Sequence, residues 1–206
     1  MHSRDFGPGR HGGVVLTSLL LGTFVTGSAE VLTAGLLPLI SPGIGVSVAA
    51  AGSLFSAYAL GLAIGGPLLT AVTIRRDRRH VLVGSMALFA VLVVAPAAVP
   101  HFGWFVATRL AAGALQGLFL AACFTTATAV VPQARAGRAL AVVIAGFSIS
   151  TVLGLPLGVL AGSVVGWRGA LLMVGGLAVA AVGLLSRRSR AFRAAGCRGR
   201  AGCGIP

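Results

Sequence analysis

The chain contains no lysine and only three acidic residues, Asp5, Glu30 and Asp77. Without lysine, a phosphate-binding loop of the Walker type cannot be built within it. Charged residues make up 9% of the 206 positions, against 57% hydrophobic, with a mean hydropathy of +1.00. A soluble domain of this size has too little charge here to cover its surface. Cysteine is scarce as well. Cys123 stands in an apolar run, Cys197 and Cys203 stand near the end, and neither their spacing nor nearby histidine supports a zinc site or a disulfide framework. No metal and no cofactor is therefore expected. The net charge of +13 comes from sixteen arginines, most of them in short segments between apolar runs. That distribution argues for a lipid bilayer as the partner and against nucleic acid.

What is present is a series of long apolar runs. They are expected near Val14–Ile40, Val46–Thr73, Val81–Val99, Trp104–Val131, Leu140–Val165 and Ala170–Leu185. The breaks between them are turn or charge signals: Ser41-Pro42-Gly43, Ile74–His80, Pro100–Gly103, Pro132–Arg138 and Gly166–Gly169. The reading is all-α, a polytopic membrane protein with six transmembrane helices. Residues 1–13 form a polar leading segment, 14–185 the transmembrane domain and 186–206 a basic tail. That tail reads as a solvated segment or as an out-of-frame translation of GC-rich codons. Arginines cluster in the N-terminal segment, the second and fourth loops and the tail. The positive-inside rule then puts both termini in the cytoplasm of a multi-pass protein of the plasma (cell inner) membrane.

Glu30 is the only acid inside an apolar run. A charge at that depth costs at least ~2.5 kcal/mol on insertion scales, so such a group faces a cavity or a partner. Helical spacing puts Thr23, Thr26 and Thr33 on its face. Two readings stay open: a structural buried carboxylate, and a site that responds to protons or substrate. Helix 4 carries Arg109, Gly113, Gln116 and Cys123 near one face. If helices 1 and 4 run oppositely, Glu30 lies ~15 Å and Arg109 ~9 Å below the outer end. We expect both to face one cavity and to pair directly or through water; the alternative is that Arg109 snorkels to the outer interface.

Small residues recur every fourth position in helix 2 (Ala49, Ser53, Ala57, Gly61, Gly65) and helix 5 (Gly146, Ser150, Gly154, Gly158, Gly162). Such stripes let helix backbones approach in lipid. Pro67 and Pro156 should bend their helices. Charges on helices 1 and 4 and small-residue stripes on helices 2 and 5 suggest a three-plus-three repeat of inverted topology. An intramembrane protease built on Gly146-Phe147-Ser148-Ile149-Ser150 would need a histidine on another span, and all four histidines fall in loops or ends.

These residues resemble a known family. Gly27-Ser28-Ala29-Glu30, Gly35 to Pro38, Gly45-Val46-Ser47, Ala51-Gly52, Tyr58 to Gly61 and Gly65-Gly66-Pro67 are similar to the start of major facilitator superfamily transporters. The nearest group is the drug:proton antiporters of the arabinose-efflux and chloramphenicol-resistance type. Arg109, Gly113 and Gln116-Gly117 match the helix 4 motif. Gly146, Gly154-Leu155-Pro156-Leu157-Gly158, Gly162 and Gly166-Trp167-Arg168 match the helix 5 antiporter motif. The loop motif of the superfamily, G-x-L-x-D-R-x-G-R-R, corresponds to Gly66 through Arg75, Arg76, Asp77, Arg78 and Arg79, with Thr70 at its acidic position. The resemblance covers residues 14–186. It implies that this chain is the amino-terminal six-helix half of a twelve-helix protein. Helices 1 and 4 would line a central cavity, with Glu30, Arg109, Thr26, Thr33 and Gln116 as its polar groups. It also implies secondary transport without enzymatic chemistry: proton-coupled efflux of a drug or sugar-like solute, with Glu30 neutralised as pH falls. The second wall would come from a missing C-terminal half or a second copy in a homodimer. The competing reading is a membrane fragment that moves nothing.

Overall fold

The computed structural model describes residues 10–99 and 101–187. The leading segment 1–9, Pro100, and the tail from 188, including Cys197 and Cys203, lie outside the described residues. All regular structure among the described residues is helical. The elements are α1 (Arg10–Gly43), α2 (Val48–Thr73), α3 (Arg78–Ala98) and α4 (Phe102–Ala129), followed by a 3₁₀ turn at Gln133–Arg135. The hydrogen-bonded run Ala136–Arg187 then departs from helical geometry only at Gly166, with φ 72° and ψ 168°. We number residues 136–165 as α5 and residues 167–187 as α6.

That division is dictated by packing. Straight, the 52-residue run would reach ~78 Å, far beyond a ~30 Å hydrocarbon core. Instead Ala139 and Val143 near its start share a core cluster with Ala178, Ala181 and Leu185 near its end. The chain therefore reverses at Gly166, and six spans result. The expected break at Gly166–Gly169 narrows to a single residue. Glycine permits this because a positive φ costs it nothing. At the α1–α2 turn, Gly45 (φ 68°) and the Ser47 hydroxyl, which caps the Ala50 amide at 3.1 Å, perform the same reversal.

The core has two layers along the bundle. One joins Val15, Leu19, Leu82, Met86, Cys123, Ala139 and Leu185 near the arginine-rich end. The other joins Leu36, Ile40, Leu54, Phe89, Phe105, Ala170 and Leu171 near the opposite end. Together they require all six spans to alternate in direction.

Two helix pairs approach backbone to backbone. On α5, a Cβ at Gly154 would lie 3.3 Å from Ser28 Cα, and one at Gly158 would lie 3.0 Å from Leu32 Cγ. Gly146 and Gly162 face Thr23 and Leu36 of α1 in the same way. Across the bundle, a Cβ at Gly66 would lie 3.0 Å from Gly117 Cα, and Gly61 and Gly113 abut the carbonyls of Leu110 and Tyr58. So α5 packs on α1 as α2 packs on α4, which is the correspondence an inverted three-plus-three repeat requires. The small-residue stripes are the surfaces used.

Pro67 has a visible local effect. The turn just before it, Gly61–Gly65, widens to a π-helix. A proline ring clashes with the carbonyl four residues earlier, and a wider turn relieves that clash.

Candidate functional site

Glu30 sits in the middle of α1 and is half-buried. Gln116 Nε2 on α4 donates a hydrogen bond to Glu30 Oε2 at 2.9 Å. The other end of the same amide, Gln116 Oε1, accepts a hydrogen bond from the Tyr58 hydroxyl of α2. Gln116 is fully enclosed and Tyr58 is 2% exposed. Three spans thus meet in one polar chain, Tyr58 to Gln116 to Glu30. Gln116 reaches it because its neighbours on α4, Gly113 and Gly117, let α2 approach the α4 backbone.

Arg109 does not pair with Glu30. It is 2% exposed, its Nη2 is buried without a hydrogen-bond partner, and its guanidinium lies 5.4 Å from the centre of the Phe105 ring. Phe105 stacks in turn with Trp167, with centroids 6.3 Å apart. The helical rise explains the exchange of partners. Measured from the start of α4 at Phe102, Arg109 lies ~10 Å and Gln116 ~21 Å deep, and measured from the end of α1 at Gly43, Glu30 lies ~20 Å deep, level with Gln116. Among the described residues, the Asp77 carboxylate lies 3.6 Å from His80 Nδ1, both exposed at the arginine-rich end.

The hydroxyls expected beside Glu30 are spent elsewhere. Thr26 Oγ1 donates to the Thr23 carbonyl at 3.2 Å, and Thr33 Oγ1 donates to Ala29 at 2.9 Å. Both are buried in the packing of α1. Thr23 Oγ1 bridges to the Val143 carbonyl of α5 at 3.0 Å. These groups satisfy their own backbone or hold α5; none is bonded to the carboxylate.

The remaining expected residues fall into two places. Gly146, Gly154, Gly158 and Gly162 lie on the α1–α5 contact, with Pro156 on the exposed side of α5. Ser150 is enclosed there against Gly27, its hydroxyl donating to Phe147 at 2.6 Å. Gly66 belongs to the α2–α4 contact, while Arg75, Arg76 and Asp77 form the exposed turn before α3. Arg78 Nη1 donates to the Thr125 carbonyl of α4 at 3.4 Å. Thr70, at the acidic position of the loop motif, returns its hydroxyl to Gly66 at 2.8 Å. Tyr58 is the site residue that sequence reasoning misses. Its signal is its singularity: the one tyrosine of the chain, set in an apolar run three residues before the glycines of α2.

Comparison with known proteins supplies the wider frame. The profile of the family described as Major Facilitator Superfamily matches residues 19–200. A chloramphenicol resistance protein of Streptomyces lividans is 40% identical over 150 residues, which is 73% of this chain and 38% of that protein. An inner membrane transport protein of Escherichia coli K12 is 35% identical over 164 residues, 80% of this chain and 42% of the other. A chloramphenicol efflux pump of Mycobacterium tuberculosis H37Rv is 36% identical over 172 residues, 84% and 41% respectively. This chain spans about two fifths of the length of these relatives. Among solved structures, the proton:xylose symporter XylE superposes with a TM-score of 0.74 at 18% identity, covering 86% of this chain and 44% of that one. That likeness concerns the fold.

Proposed function

The chain belongs to the major facilitator superfamily, and from that premise we propose that it forms the amino-terminal wall of a proton-coupled exporter of small molecules. The observation that carries this reading is Glu30. It is the sole acid in any span, it is held by Gln116, which Tyr58 holds in turn, and the guanidinium of Arg109 is buried on the same helix as Gln116. An intramembrane carboxyl with that company is suited to taking up and releasing a proton as its surroundings change. Amphipathic solutes of the chloramphenicol type are the substrate class we propose, since two of the relatives above bear that compound in their names. We place the protein in the plasma membrane with the arginine-rich end in the cytoplasm. The opposing wall is a C-terminal half or a second copy of this chain.

The test is solute flux. The full chain is reconstituted in lipid vesicles, and labelled chloramphenicol movement is followed under an imposed pH gradient. Gradient-driven flux is expected, lost in Glu30→Gln. If Glu30→Gln leaves both flux and its pH dependence intact, the role given to Glu30 is wrong. If the unaltered chain moves nothing, a second reading takes over: a folded membrane segment that does not transport alone.

A further inference from the structure

A primary amide has one donating end and one accepting end, and rotation by half a turn exchanges them. Beside a carboxyl group the two orientations have opposite effects. An N–H favours the ionised acid, whereas a carbonyl oxygen accepts from the protonated acid and favours that form. Which end of Gln116 faces Glu30 therefore matters, and the carboxyl group, which only accepts when ionised but also donates when protonated, does not fix it in both states. The Tyr58 hydroxyl biases it: a phenol can donate or accept but donates the more strongly, and here it donates to Oε1 while Nε2 is turned to Glu30. Tyr58 is itself fixed. Its side chain is buried, and its backbone carbonyl abuts Gly113, one turn before Gln116 on α4.

We propose that Tyr58 is a positioning residue, which holds the Gln116 amide with its N–H on Glu30 and thereby sets the pH at which that carboxyl is protonated. This deepens the reading of Glu30 as the proton-binding group and rests on it. The ionisable groups around Glu30 are few. Tyr58 comes from α2, and Arg109 comes from α4, seven residues before Gln116. Farther along α4 there is Cys123. The spans α3, α5 and α6 bring only groups at their ends, among them His80, Arg138 and Arg168. Arg109 acts through space and is present in every variant below, so their comparison isolates the amide.

Infrared titration of the full chain in lipid bilayers tests this without any flux. The carboxyl stretch of Glu30 is identified by its absence in Glu30→Gln. In Tyr58→Phe the midpoint is expected at higher pH than in the unaltered chain, by about 0.5–1 pH unit, the size of one weakened hydrogen bond to a charged group. In a Gln116→Leu background, the same Tyr58→Phe change is expected to do nothing, because Tyr58 acts through the amide. An unmoved midpoint in Tyr58→Phe overturns the proposal. So does an equal shift in the Gln116→Leu background, which would mean direct action on Glu30. Should Tyr58→Phe fail to fold, fluorotyrosine incorporation replaces it, since it labels this one site without a mutation. A more acidic phenol donates more strongly, so the midpoint is expected to fall; no change overturns the proposal. A midpoint that responds while flux ignores Glu30→Gln refutes the transport role and leaves the positioning role standing.

Discussion

At the scale of the residue, Arg109 is the group under greatest stress. A buried guanidinium with an unpartnered Nη2 and one aromatic ring for company gains little from its surroundings. Replacing it by a flexible apolar side chain removes that desolvation cost. We expect Arg109→Met to fold at least as stably as the unaltered chain, read as detergent thermal unfolding, while gradient-driven flux disappears. A clear loss of stability would show that Arg109 has a structural partner. Glu30 and Gln116 are legible in the sequence, since each is a polar side chain set among apolar ones. Their joining is not. Periodicity assigns a face to a helix, whereas the partner depends on the relative depth of two helices, and there Gln116 lies nearer than Arg109. Tyr58 escapes for a related reason: a tyrosine in an apolar run reads as core until its hydroxyl is seen to have a partner.

At the scale of the element, glycines decide how closely the helices approach. A Cβ at Gly113 would collide with the backbone of Tyr58 and Leu62, which cannot yield as a side chain can. Gly113→Ala should therefore destabilise by on the order of 1–3 kcal/mol. Gly84 and Gly176 meet nothing within 4 Å, and Ala there should be neutral or stabilise by up to about 1 kcal/mol through helix propensity. Unfolding of the three variants side by side in one detergent checks the contrast. Gly166→Ala is a different case: the site has space, but φ 72° with ψ 168° is a conformation essentially confined to glycine, at a cost of roughly 1–3 kcal/mol. The contact surfaces of α5 and α2 are legible as four-residue stripes of small side chains, because close approach in lipid demands small residues at that interval. The π turn at Gly61–Gly65 is hidden. Pro67 announces that the helix must adjust, but not whether it bends or widens.

At the scale of the whole molecule, six alternating spans follow from composition and arginine placement, and the packed structure has that alternation. The spans are unequal. α1 and α4 are the most enclosed, while α2 and the run containing α5 turn most of their surface outward. Leu60, Ile64, Leu68 and Val72 on α2 and Val152, Leu157 and Leu160 on α5 are all exposed apolar side chains. Orientation is testable in a background where Cys123, Cys197 and Cys203 are serine. An impermeant maleimide added outside intact cells should label His101→Cys and spare Arg76→Cys until the membrane is opened. Labelling of Arg76→Cys alone would invert the topology.

The reversal at Gly166 has one more consequence, for anything that approaches the bundle from the end opposite the arginine-rich one. Proteases thread several residues of extended chain into their clefts, and between α5 and α6 a single residue leaves helical geometry. Digestion of intact cells should leave that junction uncut. An antibody would find no loop to grip there, only the ends of two helices, with the Arg168 guanidinium lying 5.1 Å over the Trp167 ring.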